Sequence, residues 1–218
     1  MQPPISDRVV IVTGGGVDKE DLGGIRPRED FLIGVDGGIA MLLDTGLIPH
    51  LAVGDFDSAG QEMYERLLRM GIQTIKLPAE KDVTDTHFAV TEALKRRPGS
   101  ILLLGAIGTR LDHTLANLFL LEMMEREGVR GEIRNRHNRI FLLRGGDSRR
   151  VSKSRFRYLS LLPLTETVSG VTLTGFRYPL QEAELQRRDS LGVSNELIAE
   201  EGLIMLRSGL LLIVECRD

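Results

Sequence analysis

The sequence predicts an α/β fold: a mainly parallel sheet with flanking helices, followed by a smaller antiparallel β-sandwich domain. Three observations predict it. Up to about residue 130, short apolar runs alternate with helical stretches. Each apolar run ends in a Gly- or Asp-rich turn. After about residue 135 the helical stretches stop, and one strand-like run follows another.

The runs at 9–12, Phe31–Val35, 51–53, 72–77 and 101–104 are short, rich in Val, Ile and Leu, and bounded by Gly or Asp. That is the signature of buried strands. Helices are predicted over 39–44, 61–70, 85–97 and 112–127. The last carries Leu115, Leu118, Phe119 and Met123 at close to helical spacing. Strands alternating with helices build a parallel sheet covered on both faces, a Rossmann-like three-layer arrangement. Ligands of such sheets bind beyond the carboxyl ends of the strands, so the Gly- and Asp-rich turns all fall on one rim. Further on, strands are expected at 139–143, 155–164, 168–176, 203–206 and 210–215, with Ser208-Gly209 as a hairpin turn between the last two. The expected domains are 1–134 and 135–218, divided in the polar stretch 135–138.

Composition narrows the function. The chain has 218 residues, 42% of them apolar and 27% charged, enough for a buried core. Lys and Arg number 28 against 31 Asp and Glu, a net charge of -3. No basic excess points to nucleic acid. No apolar stretch approaches membrane-spanning length, and the first residues lack the pattern of a signal peptide. Cys216 is the only cysteine, so no intrachain disulfide forms, and a cytoplasmic location is expected.

Four clusters carry candidate chemistry. Gly54-Asp55-Phe56-Asp57-Ser58 sets two carboxylates two residues apart. In extended chain they point the same way, with Phe56 turned inward. Paired carboxylates at a strand end suit Mg²⁺, although the same residues also make a helix-capping turn. Lys81-Asp82-Val83-Thr84-Asp85 opens a helix. Thr84 or Asp82 serves as its N-cap, Asp85 favours its dipole or adds a third carboxylate to the rim, and Lys81 is either a cation for phosphate or a solvated lysine. Gly105 through His113 joins a strand to a helix. Its glycines let backbone approach a ligand, the helix start offers free N–H groups, and Arg110 can grip phosphate bidentately. Asp112 and His113 either cap that helix or face a ligand. Ser190 through Glu196 includes Ser194-Asn195, which makes a turn or supplies donors and acceptors to a polar ring. Gly14-Gly15-Gly16 and Asp36-Gly37-Gly38 are tight strand-to-helix turns. There is no G-x-x-x-x-G-K-[ST], no H-E-x-x-H, no paired C-x-x-C and no G-x-S-x-G. P-loop, zinc and serine-hydrolase chemistry therefore lack support.

Taken in order, these pieces resemble the thiamine pyrophosphokinase family, bacterial type, over nearly the whole chain. They are Asp36-Gly37-Gly38; Pro49 with the 54–58 cluster; Lys81-Asp82 with Thr84-Asp85; Gly105 through Arg110; and Asp112-His113 with Asn117. The second domain adds Ser160-Leu161-Leu162-Pro163-Leu164, Gly175 with Tyr178-Pro179-Leu180, and Ser194-Asn195-Glu196. The resemblance implies transfer of the diphosphoryl group of ATP to the hydroxyl of thiamine, with Mg²⁺ as cofactor. It implies a nucleotide-binding α/β domain, a thiamine-binding β-sandwich, and a homodimer with thiamine sites between subunits. Asp55, Asp57 and Asp85 are then the metal carboxylates, and Asp36 a rim residue near the hydroxyl. Lys81 and Arg110 hold phosphate. Asp112, His113, Ser194 and Asn195 are binding residues. Asp36 or Asp85 accepts the hydroxyl proton; a carboxylate spent on metal is a poor base, so that role and metal binding need not fall to one residue. Two positions depart from the family pattern: Thr109 stands where many members have a second glycine, and Glu196 where animal and fungal members have Trp. Rival readings are a binding module without transfer activity and a Mg²⁺-dependent phosphohydrolase.

Overall fold

The computed structural model describes residues 7–56, 60–78, 80 and 82–218. The chain divides into two units, Met1–Arg136 and His137–Asp218.

Six strands of the first unit are β1 (Arg8–Val12), β2 (Phe31–Val35), β3 (Leu51–Gly54), β4 (Gln73–Lys76), β5 (Ser100–Leu104) and β6 (Arg130–Arg134). They lie in the order β6-β5-β1-β2-β3-β4. All five pairings are parallel. The helices are α1 (Gly37–Asp44), α2 (Gly60–Arg69), α3 (Asp85–Leu94) and α4 (Leu111–Arg126). Val10, Val12, Leu32, Leu102 and Leu104 pack with Leu22 and Leu42. Ile39, Ala52, Phe56, Leu67 and Ile72 form a further cluster. β1, β2, β3 and β5 are almost wholly buried, which accounts for their unbroken apolar sequence. The order runs outward from β1 through β4, then returns to place β5 on the other side of β1. The sheet therefore reverses between β1 and β5, and the loops there diverge to leave a crevice.

Two features of this unit differ from expectation. β6 has no apolar run: it reads Arg-Gly-Glu-Ile-Arg, with only Ile133 fully buried. It is a strand because it pairs with β5, and because the missing side chain at Gly131 admits Leu121 and Met124 of α4. Helix α4 forms where expected, but its core face is Asn117, Leu120, Leu121 and Met124. Leu115 and Phe119, which mark the helix in the sequence, are exposed.

The second unit holds two antiparallel sheets. β7 (Asn138–Arg144), β9 (Tyr158–Pro163), β12 (Asn195–Glu196) and β14 (Leu210–Cys216) run in the order β12-β9-β14-β7. β8 (Ser148–Ser152), β10 (Thr167–Thr174), β11 (Leu180–Gln186) and β13 (Glu201–Met205) run in the order β11-β10-β13-β8. Phe141, Leu159, Leu161, Leu211 and Ile213 of the first sheet share one core with Val151, Val168, Val171, Leu173, Leu185 and Ile204 of the second. This is the β-sandwich that the sequence predicts. Ser208-Gly209 is a turn, but not a hairpin turn as expected. β13 pairs with β10 and β8, whereas β14 pairs with β7 and β9. Ile204 and Ile213 face one core across the sandwich, so the chain crosses between sheets at this point. Among the described residues no helix is long and apolar enough to cross a membrane.

Candidate active site

The crevice between β1 and β5 is built from glycine. Thr13, just past β1, donates its N–H to Leu104 O at 2.9 Å and its hydroxyl to Gly105 O at 2.6 Å. Gly105 has φ 71, and a Cβ there would collide with Thr13 O. A Cβ at Gly15 would likewise collide with Gly105 O. Only glycine permits the two turns to touch backbone to backbone. Above them opens a cleft of about 310 Å³. Its walls include Asp36, Thr86, the loop from Gly105 to Arg110, His113 and Asn117.

Asp36 ends β2 and caps α1 at φ 48, a left-handed conformation that costs a non-glycine residue about 1–3 kcal/mol. Its N–H donates to Val53 O at 3.1 Å, which ties it to β3. Its Oδ1 is shielded from solvent and lies against Gly54, where any side chain would displace it. The Asp36 carboxylate is thereby held beside the backbone that leads into Asp55. Phe56 is buried, as its alternation predicts, and packs edge-on against Tyr64 at 5.2 Å. The chain here is not extended, however: Phe56 sits at φ 62. The ring reaches the core by a left-handed turn instead of by strand alternation. Asp57 and Lys81 lie outside the described residues. Thr84 is the N-cap of α3, its hydroxyl accepting from His87 N at 3.2 Å. Asp85 follows in the first turn, with Oδ1 shielded from solvent. Asp55 and Asp85 border the rim without lining the cleft.

The carboxylates of Asp36, Asp55 and Asp85 are hard oxygen donors of the kind Mg²⁺ takes. The cradle at Gly54 shows that one of them is pressed to the strand end that precedes another. Among the described residues, no group of three or more His, Cys, Asp or Glu is close enough to hold an ion. The donors fit the metal in kind.

At the start of α4, Arg110 grips Asp112 with both arms, Nε to Oδ1 at 3.2 Å and Nη2 to Oδ2 at 2.6 Å. This bidentate hydrogen bond holds the Asp112 carboxyl well below its usual range, at about 2, and raises Arg110 further. Both side chains remain exposed. The loop that presents Arg110 is pinned on three sides. Thr13 holds Gly105 O, Asn117 Nδ2 holds Ala106 O at 2.9 Å, and Gly108 N donates to the Thr114 hydroxyl at 3.2 Å. Asp36, Arg110 and His113 line one cleft. Asn117, part of the family-like set in the sequence, also lines the cleft, whereas Thr13 and Thr86 as wall residues emerge only from the structure. For Thr13 the available signal is its place directly after a strand, before three glycines.

In the second unit, Ser194 has φ 60, and its N–H donates to the Ser160 hydroxyl at 3.1 Å. Asn195 is buried. Its Oδ1 accepts from Tyr178 N at 3.0 Å and Glu196 N at 2.9 Å, and its Nδ2 donates to Tyr178 O at 2.7 Å. The Ser194-Asn195 pair thus fixes a loop, with the Asn195 amide as its clamp.

Comparison with known proteins places these features in a family. Residues 25–132 match the model of the thiamin pyrophosphokinase catalytic domain, and residues 149–211 that of the vitamin B1 binding domain. A thiamine pyrophosphokinase from Bacillus subtilis is 34% identical over 209 residues, 95% of this chain and 98% of that protein. Its crystal structure superposes with a TM-score of 0.89, covering 97% of this chain and 99% of the other at 33% identity. A thiamin pyrophosphokinase family protein from Enterococcus faecalis gives a TM-score of 0.86 at 36% identity, covering 97% and 99%. The Candida albicans thiamin pyrophosphokinase, 18% identical over 96% of this chain and 89% of its own, shares the fold with a TM-score of 0.81. With both domains matched in order and a relative aligned along almost its full length, the chain belongs to the thiamine pyrophosphokinase family, enzymes that transfer the diphosphoryl group of ATP to thiamine.

Proposed function

We propose that the cleft between the β1 and β5 turns receives the phosphates of ATP, and that the carboxylates beside it serve the metal and the reacting hydroxyl. One observation carries this reading: Asp36 and Arg110, a carboxylate and a guanidinium, line the same cleft at the start of α4. The first amides of a helix have no partner inside it and suit an anion. Arg110 uses Nε and Nη2 on Asp112 and keeps its Nη1 edge for a phosphate oxygen. Asp55 and Asp85, with Asp57, are the carboxylates that would hold Mg²⁺; when bound, the ion supplies charge neutralisation and orientation for the diphosphoryl group. Asp36, fixed by its strained backbone and by Gly54, accepts the proton of the thiamine hydroxyl as it attacks the β-phosphorus and AMP leaves. Lys81 adds a cation for phosphate. Asp112 and His113, at the start of α4, and Ser194 bind substrate, and Asn195 assists by clamping the loop that presents Ser194. A cytoplasmic setting, where ATP is supplied, belongs to the same reading.

A homodimer with thiamine sites between subunits completes the reading. Its support is an apolar stripe on α4, where Leu111, Leu115 and Phe119 are spaced four residues apart and exposed.

The test is AMP formation from Mg-ATP with and without thiamine, with product mass checked. AMP and thiamine diphosphate are expected in equal amounts, and only with thiamine present. Phosphate release without thiamine would instead mark a hydrolase. Asp55→Asn is expected to cut kcat about 100-fold or more while leaving the circular dichroism spectrum unchanged. Near-normal kcat at saturating Mg²⁺ would remove Asp55 from the metal set.

A further inference from the structure

Thiamine joins a flat aminopyrimidine to a flat, positively charged thiazolium. The face of an aromatic side chain attracts both, the one by stacking and the other through its charge. The chain has no tryptophan. Residues 149–211, the span of the vitamin B1 binding domain, hold four Phe and Tyr rings: Phe156, Tyr158, Phe176 and Tyr178.

Three of the four are already engaged. Phe176 is 2% exposed and belongs to the sandwich core. Phe156 and Tyr158 are half-buried. Each lies under a guanidinium, Phe156 under Arg155 at 5.2 Å and Tyr158 under Arg157 at 5.1 Å. A thiazolium brought to either ring would meet a like charge. Tyr178 differs. It is 62% exposed, and among the described residues no ring or cation packs on it. Its neighbour Arg177 is paired with Glu196 at 3.1 Å.

A single exposed tyrosine is ordinary, but this one is held in place. Its backbone N–H and C=O both bond to the side-chain amide of the buried Asn195, at 3.0 and 2.7 Å. The residues around it are tied to the same loop: Arg177 N donates to Glu196 O at 2.8 Å, and Ile198 N to Gly175 O at 3.0 Å. These bonds fix the backbone beneath an exposed ring, which lowers the entropy lost when a ligand settles on it. The same loop also exposes Leu191, Val193 and Ile198.

We propose that Tyr178 is the ring on which thiamine stacks, and that Asn195 serves thiamine binding by fixing Tyr178. This rests on the assignment of the Ser194-Asn195 loop to thiamine, and adds the side chain that supplies the aromatic face.

The test is steady-state kinetics of Tyr178→Ala, with thiamine and ATP varied in turn. The KM for thiamine is expected to rise about ten-fold or more, and the KM for ATP to change by less than about two-fold. Tyr178→Phe keeps the ring and is expected to hold the KM for thiamine within about three-fold. Because the chain has no tryptophan, Tyr178→Trp introduces a single one. With Mg²⁺ and a non-hydrolysable ATP analogue present, thiamine is expected to quench its emission to saturation. Quenching that only rises linearly with thiamine, as collision with free indole does, overturns the assignment. So does a Tyr178→Ala enzyme with the wild-type KM for thiamine. So does a Tyr178→Ala enzyme whose loss of activity follows a loss of association on sedimentation, which would make Tyr178 a contact between copies. Wild-type AMP formation that does not depend on thiamine would overturn the proposed function itself, and this inference with it.

Discussion

His50 accepts a hydrogen bond on Nδ1 from Leu32 N at 3.0 Å, which it can do only while neutral. Its ring stacks on Phe31 at 4.9 Å. Burial lowers its pKa below the usual 6.5, and the nearby Arg96 charge lowers it further. The unfolded chain therefore takes the proton first. The contribution of His50 to stability is complete above about pH 6.5 and is lost as pH falls. His50→Asn keeps an acceptor for Leu32 and removes the titration. Between pH 7.5 and 5, melting temperature is expected to fall less in this variant than in the wild type. Parallel curves would show that His50 carries no linked proton. The proposed site residues differ from His50 in how visible they are in the sequence. Asp36, Asp55 and Arg110 stand out because carboxylates and cations after buried strands fall on one rim. The left-handed backbone at Asp36, Phe56 and Ser194 does not, since none is a glycine. Each is imposed by surrounding contacts, such as the bond from Asp36 N to Val53 O.

At the scale of elements, the loop from Gly105 to Arg110 is held by its neighbours more than by its own sequence. Thr13 comes from the end of β1 and Asn117 from the second turn of α4, and they take adjacent carbonyls, Gly105 O and Ala106 O. Both residues are buried. Removing either donor leaves a buried acceptor unsatisfied, at a cost of about 1–3 kcal/mol. Asn117→Leu is expected to lower stability by about that amount and, because Arg110 rides on this loop, to raise the KM for ATP more than the KM for thiamine. Equal rises in both would mean that the loop is not a nucleotide element. Thr13→Val should behave alike. The double variant should cost less than the sum, because the second latch has less to hold once the first is gone. Such latches are hidden from sequence by distance, since Thr13 and Gly105 are 92 residues apart. β11 is hidden for a different reason. Its Leu-Gln-Glu-Ala-Glu-Leu-Gln has the composition of a helix and becomes a strand by pairing with β10.

For the whole molecule, the decisive feature is the side of α4 that faces away from the core. An isolated exposed leucine is ordinary, but Leu111, Leu115 and Phe119 fall on one face, with exposures of 68%, 44% and 60%. The sequence shows apolar residues at helical spacing along α4. It cannot show that the helix has two apolar faces with different destinations, because periodicity reports a stripe and not what covers it. In the second unit Tyr178, Leu191, Val193 and Ile198, all around the Ser194-Asn195 loop, are exposed as well. Apolar surface beside both sets of proposed site residues is what an assembly with shared sites requires. Sedimentation velocity at micromolar concentration is expected to give twice the chain mass of 24.2 kDa. Phe119→Glu places a charge in the stripe without weakening the helix, since Glu is a good helix former and the position is exposed. The variant is expected to sediment as a folded monomer, with activity recovered only in proportion to the dimer left at high concentration. A wild-type monomer with full activity would separate the stripe from catalysis and return each site to a single chain. A monomeric variant with wild-type kcat would confine the stripe to assembly alone.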